Sequence, residues 1–135
     1  MTRINDRQRG VQNMVNWKIG ALAMAASFFL ASAADAHPQL KSAGPAPGSV
    51  VKTSPKALRI QFNEGIVLGF SGIEVTDAAG KKQPVGEASL SPTDKNQLIV
   101  PLTAELAPGK YTVAWHAVGD DTHKVDGKYN FEVKP

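Results

Sequence analysis

The chain has 135 residues, with 15 Lys and Arg against 12 Asp and Glu, three His and no Cys. Without cysteine it can hold no disulfide, no cysteine-ligated zinc, no iron–sulfur cluster and no His2Cys copper site, so metal chemistry here must use His, Asp, Glu, Met or the chain terminus. Four of the basic residues (Arg3, Arg7, Arg9, Lys18) and two of the acidic ones (Asp6, Asp35) precede His37, so the formal charge of +3 falls to +1 beyond that point. No Lys/Arg cluster with interleaved aromatics remains, which argues against nucleic-acid binding.

In chain order, the first segment reads as an export signal. A basic head leads into the apolar run Ile19 to Leu30, and small residues ending in Ala34-Asp35-Ala36 follow. Basic head, apolar middle and small residues at −3 and −1 are the parts of a secretory signal. A membrane anchor is the competing reading, but a spanning helix needs about 20 apolar residues, and this run is shorter. Cleavage is expected after Ala36, dividing the chain into a leader (residues 1–36) and one small exported domain (residues 37–135). Translation from Met1 gives a long basic head, and Met14 is an alternative start.

Beyond residue 37 no helical period is sustained. Residues 57–63 (ALRIQFN) put Leu58, Ile60 and Phe62 on one face, and 72–77 (GIEVTD) do so with Ile73 and Val75. Residues 97–102 (QLIVPL) form a more continuous apolar run. Residues 110–118 align Tyr111, Val113 and Trp115, and 127–133 align Tyr129, Phe131 and Val133. Period-2 alternation marks strands with one buried face. Gly-, Pro-, Asp- and Ser-rich stretches at 44–49, 78–84, 91–96, 107–110 and 119–127 punctuate them. With short strands around 39–43 and 85–90, the expectation is an all-β, single antiparallel β-sandwich of about seven strands.

The three histidines are His37, His116 and His123. Asp121 and His123 are two apart, and in an extended segment such side chains project to the same side. Alone, Asp-x-His is more often a solvated turn than a ligand pair. His37 adds weight. Once the leader is cut, its α-amine and its Nδ1 can bind one metal and close a six-membered chelate ring. An α-amine ordinarily titrates at about pH 8 and an imidazole at about 6.5, so both can give up protons near neutrality to a competing metal. Nitrogen donors in a tetragonal plane favour Cu(II). Pro38 has no N–H, so the metal cannot take the next backbone nitrogen and must recruit donors from elsewhere in the fold. The bland alternative is that His37 is an accident of processing and Pro38 only a stiff start.

The pieces HPQLKSAGPAPGS (37–49), LRIQFNEGI (58–66) and LAPGKYTVAWHAVGDDTHKVDGKYNFEV (106–133) together resemble the periplasmic copper-binding CopC family. The resemblance spans essentially all of residues 37–135. It implies a cupredoxin-like or immunoglobulin-like sandwich holding one Cu(II) per mature chain. The implied ligands are His37 through amine and Nδ1, Asp121 through a carboxylate oxygen, and His123 through an imidazole nitrogen. Glu64 matches a glutamate near the metal and would hydrogen-bond the terminal amine, although a solvated charge at a turn explains it equally well. The implied partner is an inner-membrane copper importer of the CopD type, with the domain itself a monomer. Some members carry a Met-rich Cu(I) site. Here all three methionines (Met1, Met14, Met24) precede the cleavage point, so no Cu(I) thioether site is expected.

Two other readings compete. A terminal His with a second His also forms the histidine brace of copper monooxygenases. The few aromatics beyond residue 37 lie mostly on strand faces expected to be buried, leaving little for a substrate platform, and an Asp ligand would fill a position that oxygen chemistry needs. The expectation is therefore a binding protein rather than an enzyme. A metal-free immunoglobulin-like interaction module is allowed by the fold but leaves His37-Pro38 and Asp121-x-His123 unexplained. His116 is expected to face outward as a surface residue, and Trp115 to sit in the core.

Overall fold

The computed structural model of the protein describes residues 37–135; the expected leader and both candidate start methionines lie outside the described residues. Eight strands follow in order: β1 (Leu40–Gly44), β2 (Val50–Val51), β3 (Ala57–Phe62), β4 (Gly72–Asp77), β5 (Ser89–Ser91), β6 (Asp94–Pro101), β7 (Gly109–Val118) and β8 (Lys124–Val133). A 3-10 turn, Leu68–Phe70, precedes β4. Two four-stranded sheets form, ordered β1-β3-β6-β5 and β2-β8-β7-β4. All pairings are antiparallel except β2 with β8.

The alternation in the sequence decides which side chains meet. Leu58, Ile60 and Phe62 of β3, with Leu98 and Val100 of β6, form one inner face. Val75 of β4, Tyr111, Val113 and Ala117 of β7, and Tyr129, Phe131 and Val133 of β8 form the other. Removing this apolar area from water is the main stabilising term, at about 25 cal/mol per Å², and a cysteine-free domain has no covalent cross-link to add to it. Tyr111 stacks on its cross-strand partner Phe131 at 5.6 Å and donates its hydroxyl to the carbonyl of Ala107. Trp115 is half-buried rather than fully enclosed, with its ring edge-on to Phe62 at 5.3 Å.

The longest ladder pairs residues 109–118 of β7 with 124–133 of β8. Five residues, 119–123, are left to turn the chain at one end of the sandwich, shorter than the 119–127 loop expected from composition. The strand near 85–90 forms only at Ser89–Ser91, with Val85 making an isolated bridge to Leu102. β2 adds to the expected strands and brings the count to eight.

Candidate metal centre

Three segments converge at the end of the sandwich where β7 turns into β8. The first is the start of the domain. The backbone N–H of Gln39 donates to Oδ1 of Asn63 (2.7 Å), and that of Asn63 donates to the carbonyl of Gln39 (3.1 Å). These bonds pin the chain ahead of β1 against the end of β3 and leave Pro38 buried and His37 exposed. The second segment, residues 64–71, runs beside the β7 end. The N–H of Val67 donates to the carbonyl of Val118 (2.8 Å), and Ile66 bridges Gly119. The buried hydroxyl of Ser71 accepts from the N–H of Val118 (3.1 Å) and donates to the carbonyl of Val67 (2.9 Å), so both of its roles are satisfied.

The third segment is the 119–123 turn. The N–H of Thr122 donates to the carbonyl of Gly119 (2.9 Å), and that of Gly119 to the carbonyl of His123 (3.0 Å). Thr122 has φ of 71°, left-handed backbone that a β-branched residue seldom adopts. Asp121 and His123 therefore reach one side through a tight turn, not through the extended segment expected from their spacing. Asp121 fixes the turn with both oxygens. Oδ1 accepts from the N–H of His123 (3.1 Å), and Oδ2 lies 2.9 Å from its Nδ1. The His123 ring first, and then its backbone N–H, hold the Asp121 carboxyl below the usual carboxylate range. With Asp121 ionised, the imidazole proton belongs on Nδ1, which leaves the lone pair of Nε2 free for a metal.

The rings of His37 and His123 meet edge to face, with centroids 4.6 Å apart. One donor atom each from His37, Asp121 and His123 falls within 4.8 Å of the others. Bonds of about 2 Å to a common ion place opposite donors about 4 Å apart, so modest side-chain rotation closes this set on one ion. Two imidazoles and a carboxylate suit Cu(II) or Zn(II) better than Ca(II) or Mg(II). Glu64 lies at the same place. Its Oε1 is buried and finds no hydrogen-bond partner among the described residues, and it approaches Gly119, as do Oδ1 of Asp121 and the ring of Pro38. A buried carboxylate oxygen without a donor is costly, and a neighbouring ammonium group would satisfy it.

The other candidates stand apart. The Asp120 carboxylate lies over Gly65, outside the cluster. His116 faces outward, its ring over Gly72, opposite Asp126. Sequence reasoning gave no part to Pro38 in packing or to Gly119, and the close approach at Gly119 has no signal in the sequence. Phe70 is 68% exposed and Leu68 37%, an exception to the pattern of buried aromatics.

The profile of the CopC domain family matches residues 40–134, beginning three residues after His37. Protein YobA of Escherichia coli K12 is 39% identical over 114 residues, covering 84% of this chain and 92% of that protein. The crystal structure of CopC from Methylosinus trichosporium OB3b superposes with a TM-score of 0.68 at 32% identity, covering 73% of this chain and 95% of that one. PcoC of Escherichia coli, described as a methionine-rich copper resistance protein, superposes with a TM-score of 0.63 at 35% identity, covering 73% of this chain and all of that one.

Proposed function

This chain belongs to the CopC family, and from that premise we propose that its mature domain is a periplasmic Cu(II)-binding protein of copper homeostasis or tolerance. Cleavage after Ala36 converts the His37 amide to an amine. That amine and Nδ1 of His37 then bind one ion, together with a carboxylate oxygen of Asp121 and an imidazole nitrogen of His123. The observation that carries the reading is the convergence of these three residues, from opposite ends of the domain, to within 4.8 Å. Glu64 supports them by accepting a hydrogen bond from the freed amine through its otherwise unpartnered Oε1. The description of its solved relative PcoC as a copper resistance protein agrees with this cargo.

The site binds copper and does not catalyse. Asp121 sits among the donors, where a histidine-brace oxidase would need an open position for oxygen. No methionine follows Met24, so the domain handles Cu(II) alone, in contrast to methionine-rich PcoC. Delivery runs to an inner-membrane importer of the CopD type. A Cu(II) titration of protein beginning at His37, followed by electron paramagnetic resonance, tests the reading. One tightly bound ion with a nitrogen-rich tetragonal spectrum is expected. No binding by correctly processed protein would leave the metal-free module as the better account.

A further inference from the structure

We propose that Gly119 is a positioning residue, kept free of a side chain so that the metal-binding segments can meet over its α-carbon. The inference rests on the copper-binding reading above. A β-carbon at Gly119 would overlap Oε1 of Glu64 and would lie 2.9 Å from both Oδ1 of Asp121 and Cγ of Pro38. Real β-carbons essentially never approach other atoms that closely. The three obstructions come from three different stretches of chain: the residue after His37, the segment that follows β3 and the 119–123 turn.

Glycine is not needed here for backbone freedom. Among the described residues the positive-φ glycines are Gly48, Gly80 and Gly109, and Gly119 is not one of them. Its requirement is for space. Nor can the neighbours retreat without consequence. Asp121 Oδ1 holds the N–H of His123, so moving it opens the turn. Pro38 is a buried ring attached to His37, so moving it carries the first ligand away from the other two. Glu64 Oε1 is buried, and displacing it withdraws the acceptor for the amine. A single methyl group would thus push apart the segments that carry the donors.

Gly65 supplies the control. The three atoms nearest a β-carbon there all belong to Asp120, the closest being Oδ2 at 2.6 Å, the far end of an exposed side chain that can swing away.

The test uses protein beginning at His37 in five forms: parent, Gly119→Ala, Gly65→Ala, Glu64→Ala, and Glu64→Ala with Gly119→Ala. Cu(II) affinity and the paramagnetic resonance spectrum are read for each. Gly119→Ala is expected to weaken binding about 10- to 100-fold, the range for disturbing groups that orient metal ligands, and to alter the spectrum. Gly65→Ala is expected to leave both unchanged. Because Glu64 is the nearest obstruction, Gly119→Ala should cost less affinity in the Glu64→Ala background, a coupling that a double-mutant cycle measures. If Gly119→Ala fails to fold alone but folds in that background, the coupling appears in its strongest form. Parental affinity and spectrum in Gly119→Ala, strict additivity of the two changes, or failure of both Gly119→Ala forms to fold would each overturn the inference. Absence of copper binding by the parent would instead sink the copper-binding reading on which it rests.

Discussion

Replacing Tyr129 by Phe should stabilise the domain at neutral pH, and the advantage should grow in alkali. Tyr129 lies on the inner face of β8, 7% exposed, and its hydroxyl is buried with no hydrogen-bond partner among the described residues. A buried hydroxyl left unpaired costs about 1–3 kcal/mol. Deleting it while keeping the ring should therefore gain about 1 kcal/mol, which raises the melting temperature of a domain this size by roughly 4–8 °C. Burial also pushes the Tyr129 pKa up to about 12. In the unfolded chain a tyrosine ionises at about pH 10. Between those values the unfolded state has released a proton that the folded state keeps, so ionisation of this group leaves the stability of the domain untouched below about pH 10 and erodes it as pH rises toward 12. The full loss is on the order of 3 kcal/mol. The Tyr129→Phe variant has no such loss. Tyr111, whose pKa is also raised, chiefly by burial, is present in both proteins, so their difference isolates residue 129. Urea melts of parent and Tyr129→Phe at about pH 7 and again above about pH 11 measure the gap at each end of this window. A variant less stable than its parent at neutrality, or a gap that stays constant into alkali, would refute the reasoning.

Adding a methionine ahead of His37 turns the amine back into an amide and should remove most of the copper affinity; an unchanged titration would exclude the chelate. His123→Ala should change the number or strength of nitrogen couplings in the paramagnetic resonance spectrum, and a spectrum identical to the parent would remove His123 from the ligand set. Because metal donors must be deprotonated, acidification should release copper, and the hydrogen bonds from His123 that hold the Asp121 carboxyl low make its carboxylate a late group to protonate. A pH titration followed by absorbance checks this, and retention at about pH 4 would point to other donors. Gly127→Ala should destabilise the domain by about 1–3 kcal/mol through overpacking, because the new β-carbon would lie 2.5 Å from Cζ2 of Trp115; chemical melts with tryptophan emission as the readout test it.

Much of the sandwich was legible because its long strands bury one face each. Alternation at 57–63, 72–77, 110–118 and 127–133 names side chains that do pack inward. What escaped has physical causes. β2 is two residues long, too short to show a period, and exists because β8 offers it a ladder. Lys124–Asp126 read as polar turn but join β8 because β7 continues opposite them. The three residues that the structure brings together, His37, Asp121 and His123, stand out in the sequence through their donor chemistry and the family resemblance, since few residue types bind metal and His37 follows the expected cleavage point. The way the turn brings Asp121 and His123 together was not legible, because nothing in a Thr announces left-handed backbone. The role of Gly119 escaped for a similar reason: a glycine beside two aspartates reads as loop composition until the atoms around it are placed.

The ladder joining β7 to β8 ends in the turn that faces His37, so on the proposed reading an ion bound there would fasten His37 to the final hairpin. A fold lacking cysteine would thereby acquire a reversible clasp. By mass action, free copper at about a hundred times its dissociation constant would add about 2.7 kcal/mol to the folded state, and the chain's resistance to unfolding and proteolysis would become a gauge of how much copper surrounds it.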